Sequence, residues 1–120
     1  MSDGWIGVDL DGTLAEYHGW VAPTTIGAPV PAMVERVRRW LAEGRDVRIF
    51  TARVAPDNRD WNEQNAVRNA IASWCLKHLG TVLVVTCVKD CAMIELWDDR
   101  CVAVEANTGR PLSPSTRGLE

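Results

Sequence analysis

The sequence predicts an α/β fold, a Rossmann-like three-layer sandwich with a mostly parallel sheet. Short apolar runs with strand character alternate along the chain with longer segments in which apolar residues recur at helical spacing. Polar or acidic residues follow successive strand segments, at the position where parallel sheets of this class carry their sites. The chain has 120 residues, which is enough for one such domain.

The first elements of this pattern lie before residue 45. Trp5–Val8 is a short apolar run that predicts a buried strand. Residues 12–29, rich in Gly, Pro and Thr, are expected to form a loop or a small hairpin. An amphipathic helix is predicted to begin at Pro29 or Pro31 and to stop at Gly44. Its apolar stripe consists of Val30, Met33, Val34, Val37, Trp40 and Leu41.

The rest of the chain continues the alternation. A second helix is predicted over residues 60–79, with Gly80 at its end. Strands are predicted before and after it, at residues 47–50, 81–88, 94–97 and 101–104. Residues 1–106 are therefore assigned to one domain. Residues 107–120, which contain Gly, Pro, Ser and Thr, are expected to form a flexible tail.

Composition and charge exclude several kinds of protein. The formal net charge of −3 argues against broad, charge-driven nucleic-acid binding, although not against a local basic pocket. No apolar segment is long enough to span a bilayer, and the start of the chain does not resemble a signal peptide. The four cysteines lie among apolar residues and are expected to be reduced core thiols. We therefore expect a cytoplasmic protein.

Polar groups suited to phosphate or metal binding follow four successive strand segments. Asp9 and Asp11 follow the first, Thr51 follows the second, Lys89 lies near the end of the third, and Asp98-Asp99 follows the fourth. Because the carboxyl ends of parallel strands meet at one edge of a sheet, these residues are expected to come together. Lys77 is a poorer candidate than Lys89 for the lysine, because it lies in the middle of a predicted helix.

Phosphoryl transfer explains these residue types. A carboxylate can attack phosphorus and form an aspartyl-phosphate that water later cleaves. A second carboxylate can protonate the leaving oxygen and then accept a proton from the attacking water. Several carboxylates in one pocket repel one another unless a cation offsets their charge, and a set of oxygen ligands suits Mg²⁺. A lysine and a threonine hydroxyl can hold the phosphate oxygens.

In motif order, the chain resembles the haloacid dehalogenase-like (HAD) phosphatases. Asp9-Leu10-Asp11-Gly12-Thr13 matches the first motif of that superfamily, and Ile49-Phe50-Thr51 matches the second. Lys89 stands where the third motif has its lysine, and Leu96-Trp97-Asp98-Asp99 matches the acidic fourth motif. The resemblance covers roughly residues 4–104.

The resemblance implies a role for each matched residue. Asp9 would be the nucleophile and a Mg²⁺ ligand, and Asp11 the general acid/base, with its backbone carbonyl on the metal. Leu10, Thr51 and Lys89 would hold the phosphate, while Arg53 either contacts the substrate or faces solvent. Either Asp98 or Asp99 would be the direct metal ligand that completes the site. The expected function is Mg²⁺-dependent hydrolysis of a phosphomonoester.

The segments between motifs leave no room for a cap domain. Residues 14–29 can form only a flap, and residues 90–97 between Lys89 and Asp98 hold at most one helical turn. The chain thus resembles capless members, which act on large substrates or close the site with a neighbouring subunit of a homo-oligomer. A nucleotide, a polynucleotide end and a sugar phosphate are all candidate substrates. His18 and Trp20 in the flap are candidates for stacking on the substrate. For Trp20, the alternative is packing against the rest of the domain.

Two functions without turnover are alternatives to hydrolysis. A signalling domain that accepts a phosphoryl group also uses carboxylates, Thr or Ser, and Lys, although it needs no acid/base two residues after its phosphorylated Asp. A module that only binds a metal or phosphate is the other alternative, and the intact acidic set argues against it.

Overall fold

In a computed structural model, which describes residues 4–57 and 59–112, strands and helices alternate as the sequence predicts. Four strands are present: β1 (Trp5–Val8), β2 (Asp46–Phe50), β3 (Val85–Thr86) and β4 (Met93–Trp97). Helix α1 (Pro31–Ala42) joins β1 to β2, and α2 (Trp61–Leu79) joins β2 to β3. A single 3-10 turn, Ala52–Val54, follows β2.

The sheet has the strand order β3-β2-β1-β4, and every pairing in it is parallel. The central strand β1 pairs with β2 on one side and with β4 on the other. Val8, the last residue of β1, lies opposite Ile49 in β2 and Trp97 in β4. This register places the carboxyl ends of the three strands side by side, and it confirms the predicted α/β class with a parallel sheet.

Both helices cover the same face of the sheet. Side chains of α1 and α2 belong to one buried cluster with Ile6, Val8, Val47 and Ile49, which alternate along their strands. Local sequence fixes the ends of α2. The Asp60 carboxylate accepts a hydrogen bond from the Glu63 N–H at 2.8 Å, and Gly80 ends the helix with a φ of 80°.

The opposite face is covered by the chain that connects β3 to β4. Trp5, buried in the centre of this face, contacts the Phe50 ring, and the guanidinium of Arg48 lies over it. The Trp5 indole N–H donates to the Asp90 carboxylate at 2.8 Å. Residues 87–92 thus supply a thin third layer, consistent with a Rossmann-like three-layer fold.

Two predicted strands differ from the structure. The strand expected over residues 81–88 pairs with the sheet only at Val85–Thr86, because β3 is an edge strand and the chain then leaves it to reach β4. The fifth strand expected at Cys101–Val104 does not join the sheet. Instead Val104 bridges Pro111 in an antiparallel hairpin, closed by a backbone hydrogen bond from Leu112 to Ala103.

The predicted tail begins inside this hairpin. Arg110 forms an ion pair with Glu105 at 3.0 Å, so residues 107–112 fold back onto the preceding segment. The rest of the predicted tail, residues 113–120, lies outside the described residues. The cysteines are free, as expected, but only Cys75 is buried in the core. Across the described ranges, no helix is long and apolar enough to cross a membrane.

Candidate functional site

The carboxyl edge of the sheet gathers the residues that follow three strands. The Asp9 N–H donates to the Trp97 carbonyl at 2.9 Å, which extends the pairing of β1 and β4 and brings Asp98-Asp99 beside Asp9. The Thr51 N–H donates to the Thr86 carbonyl at 2.9 Å and so holds Thr51 at the same edge. The grouping of acids and threonine expected from the strand ends is therefore present.

A tight turn follows β1 and gives the acidic residues their positions. The Leu10 carbonyl accepts hydrogen bonds from the N–H groups of Leu14 and Ala15, at 3.1 and 2.8 Å. Gly12 has a φ of 89°, a conformation that side-chain-bearing residues rarely adopt. A Cβ at Gly12 would lie 2.5 Å from Oδ2 of Asp99, so the turn also lets Asp99 approach closely.

Asp9, Asp98 and Asp99 form a compact acidic cluster. Each offers one carboxylate oxygen, and these atoms all lie within 4.8 Å of one another. Thr13 links two members of the cluster. Its hydroxyl lies 3.3 Å from Oδ2 of Asp9 and accepts a hydrogen bond from the Asp99 N–H at 3.1 Å. Thr13 thereby links the segment that follows β1 to the segment that follows β4.

The three carboxylates of the cluster repel one another when they are ionised and no cation lies between them. Burial, which is the largest cause, and the neighbouring Asp98 and Asp99 together raise the pKa of Asp9 from 3.8 to about 7, while the Thr13 hydroxyl opposes them. Repulsion of this kind is what a bound cation would relieve. The donor set fits Mg²⁺, because carboxylate oxygens are its preferred ligands and opposite ligands of an octahedral ion stand about 4 Å apart.

Asp11 lies apart from this cluster and is held by Arg53. The Arg53 Nε donates to Oδ2 of Asp11 at 2.8 Å, and its Nη2 donates to Oδ1 at 2.9 Å. Its third nitrogen, Nη1, donates to the carbonyls of Ala22 and Pro23, at 3.2 and 2.8 Å. Arg53 is 5% exposed. Of the two roles left open for Arg53, facing solvent is therefore wrong.

These residues line one open cleft of about 470 Å³. Its lining includes Asp9, Asp11, Thr51 and the Asp98-Asp99 pair. Aromatic side chains (Tyr17, Trp20, Phe50) and arginines (Arg53, Arg59, Arg100) form the rest of its lining with Ala52. Carboxylates, aromatic rings and positive charge thus line the same cleft.

Thr51, Leu10 and Lys89 were predicted to bind phosphate, and of these three only Thr51 lines the cleft. Thr51 is 3% exposed, lines the cleft, and accepts a hydrogen bond from the Arg53 N–H at 3.2 Å. Leu10 is fully buried and does not line the cleft. Lys89 is exposed and does not line the cleft, because residues 87–92 carry the chain away toward the other edge of the sheet.

Sequence reasoning missed Thr13, Tyr17, Arg59 and Arg100 as site residues. Thr13 belongs to the first motif, Asp9-Leu10-Asp11-Gly12-Thr13, and that position was the available signal. Tyr17, Arg59 and Arg100 lie in loops that have no apolar periodicity, so the sequence held no comparable sign that they meet at one cleft. Arg59 donates a hydrogen bond to the Arg53 carbonyl and lies 3.8 Å from Asp57.

Comparison with known proteins supports the fold alone. No protein-family model matches the chain, and no curated protein matches it. A solved structure of a conserved protein from Bacteroides thetaiotaomicron is similar, with a TM-score of 0.54 and 21% sequence identity. The likeness covers 84% of this chain and 79% of that one.

Proposed function

We propose that this protein is a magnesium-dependent phosphomonoester hydrolase with Asp9 as its nucleophile. The observation that carries the proposal is the position of the Asp9 carboxylate in the cleft, within 4.8 Å of the Asp98 and Asp99 oxygens. A carboxylate triad of this kind suits one hard cation, which would supply positive charge to the phosphate when bound. Asp9, Asp98 and Asp99 would hold that cation.

The reaction would proceed in two displacements at phosphorus. An Asp9 oxygen forms a bond to phosphorus while the bond to the leaving oxygen breaks, which yields an aspartyl-phosphate. Asp11 gives its proton to the leaving oxygen. Water then attacks the same phosphorus, its proton passes to Asp11, and the Asp9 carboxylate is restored as inorganic phosphate departs.

The other cleft residues would bind the phosphate. The Thr51 hydroxyl accepts its hydrogen bond from the Arg53 N–H, so its own proton is available to a phosphate oxygen. Arg59 and Arg100 line the cleft and replace Lys89 as the cations that stabilise the transferring group. Arg100 is well suited, since its guanidinium has no hydrogen bond or ion pair within residues 4–57 and 59–112.

The test is phosphate release from a generic aryl phosphate with Mg²⁺ and with a chelator. We expect turnover with Mg²⁺, none with the chelator, and a loss of about 1,000-fold or more in Asp9→Asn. The control is Asp46→Asn, which removes an exposed carboxylate outside the cleft and should keep full activity. Metal-dependent turnover by Asp9→Asn at the normal rate would disprove the nucleophile assignment.

One observation favours a second candidate, a module that accepts a phosphoryl group without turning over. Arg53 occupies both oxygens of Asp11, and an acid/base held in this way cannot readily pass a proton to or from the reacting oxygen. Such a module would retain phosphate on Asp9. Labelling with a small phosphoryl donor and following the decay of phospho-Asp9 distinguishes the two functions, because hydrolase activity requires loss of the label within the turnover time.

A further inference from the structure

The mouth of the cleft combines aromatic rings with the positive charge of arginines. Tyr17 and Trp20 come from the flap between β1 and α1, and they remain 46% and 52% exposed. Arg59 and Arg100 come from the loops after β2 and β4. Rings and arginines from three different loops thus line the cleft together with the carboxylates. Such a mouth suits a ligand that has both a planar ring and anionic oxygens.

Trp20 is held in place by Arg53 instead of by the core. The Arg53 guanidinium lies 4.9 Å from the centre of the indole ring, while its nitrogens bind Asp11 and the flap carbonyls. Half of Trp20 nevertheless stays accessible. The indole is therefore positioned without being covered, which is the state a stacking platform requires.

Neutral hydrogen-bonding side chains are few in this cleft. Among the described residues, none that lines it carries an amide or an imidazole, and Thr51 and Tyr17 supply its only hydroxyl groups. A sugar phosphate has no planar ring that could stack on the exposed part of Trp20. Stacking on an aromatic ring instead favours a ligand with a nucleobase.

We infer that the substrate is a nucleoside monophosphate whose base stacks on Trp20 while its phosphate reaches Asp9. The inference rests on the proposed function and narrows its substrate. The cleft volume of about 470 Å³ is within the usual range of small-molecule sites. The formal charge of −3 favours a mononucleotide over a long polynucleotide, which would need an extended basic surface.

The first test compares adenosine 5′-monophosphate with ribose 5-phosphate, which has the same phosphate and sugar but no base. We expect kcat/KM to be about tenfold or more higher for the nucleotide. Trp20→Ala should collapse most of this ratio, and Trp20→Phe should keep most of it. Trp61→Ala is the matched control, since Trp61 is 75% exposed and lies outside the cleft. Equal kcat/KM for the two substrates in the wild-type protein would overturn the inference but leave the hydrolase proposal intact.

A binding test is independent of turnover. In Asp9→Asn with Mg²⁺, equilibrium dialysis should show adenosine 5′-monophosphate binding that is about tenfold tighter than ribose 5-phosphate binding and that Trp20→Ala weakens. That result supports recognition of a nucleoside monophosphate by the cleft even if nothing is hydrolysed. Absence of hydrolysis would refute only the proposed hydrolase activity. Tighter binding or faster hydrolysis of a 5′-phosphorylated hexanucleotide than of the mononucleotide would overturn the assignment to mononucleotides.

Discussion

The guanidinium of Arg53 forms a two-point ion pair with the carboxylate of Asp11, with N–O distances of 2.8 and 2.9 Å. The same guanidinium binds the carbonyls of Ala22 and Pro23 in the flap. Movement of Asp11 toward a leaving oxygen would therefore break its ion pair with a side chain that also binds the flap. In the proposed reaction, flap position and availability of the acid/base are linked through this one side chain.

Replacing Arg53 tests how much the pair stabilises the fold. Arg53→Gln leaves the Asp11 carboxylate, with a side chain 20% exposed, and two flap carbonyls without their donor. We expect the free energy of unfolding to fall by roughly 1–3 kcal/mol, as measured by urea denaturation. Arg110→Gln removes an exposed pair with Glu105 and should cost about 0.5 kcal/mol or less. Equal losses in the two variants would contradict a structural role for the Arg53 pair.

Asp9→Asn is expected to stabilise the metal-free protein at neutral pH and above. Burial, then the Asp98 and Asp99 carboxylates, raise the pKa of Asp9 to about 7 in the folded state, against 3.8 for an ordinary aspartate. The folded protein thus binds this proton more tightly than the unfolded chain does. The contribution of this proton to the free energy of unfolding is fully present below about pH 4 and is lost as the pH rises through about 7.

Asparagine cannot ionise, so the variant lacks this decline. Urea denaturation in the presence of a chelator should show Asp9→Asn to be more stable than wild type at pH 8, by on the order of 1 kcal/mol after solvent screening is considered. The advantage should vanish near pH 4. A variant less stable than wild type at pH 8 would show that the three carboxylates do not repel one another as their geometry indicates.

Strand ends were the most predictable part of the site. Asp9 and the Asp98-Asp99 pair follow β1 and β4, and parallel pairing of adjacent strands brings such positions together whatever the loops do. The helices were equally predictable, because their apolar spacing and terminal residues are local features. These parts follow from patterns that a single strand or helix carries by itself.

Lys89 and the arginines could not be placed in this way. Lys89 stands where a strand signal ends, but the pairing of the edge strand β3 with β2 stops at Thr86, before the chain reaches Lys89. The chain then crosses to β4 on the opposite side, and Lys89 leaves the site with it. Arg59 and Arg100 reach the cleft through loop conformations that depend on tertiary contacts, which no local pattern encodes.

Magnesium is expected to raise the melting temperature, and the effect should depend on pH. A cation bound by Asp9, Asp98 and Asp99 stabilises the folded state by mass action. Protons compete for Asp9, whose pKa is raised to about 7, so the shift should be larger at pH 8 than at pH 5. Thermal melts with and without about 10 mM MgCl₂ measure this shift in melting temperature.

Variants of the acidic cluster separate specific binding from a general salt effect. Asp98→Asn and Asp99→Asn should each remove most of the magnesium-induced shift, since each deletes one charged ligand. Asp46→Asn, which alters a carboxylate outside the cleft, should keep the full shift. A shift of the same size in all three variants would exclude the cluster as the magnesium site.

Gly12→Ala tests whether the turn after β1 sets the position of Asp99. The new Cβ would lie 2.5 Å from Oδ2 of Asp99, and the exposed Asp99 side chain would have to move away from the cluster. The residue would also be strained, because the φ of Gly12 is 89°. Gly44→Ala is a matched control, since Gly44 has a φ of 80° but nothing within 4 Å of an added Cβ. Both variants should lose about 1 kcal/mol of stability from backbone strain.

Only Gly12→Ala should also weaken magnesium binding, because only there does the added methyl group displace a ligand. We expect its Kd for Mg²⁺, measured by the dependence of the melting temperature on MgCl₂ concentration, to rise by about tenfold or more, as for loss of a group that orients a metal ligand. Gly44→Ala should bind Mg²⁺ like the wild-type protein. Wild-type affinity in Gly12→Ala would mean that Asp99 is not a direct ligand, and it would assign that role to Asp98, the other member of the pair.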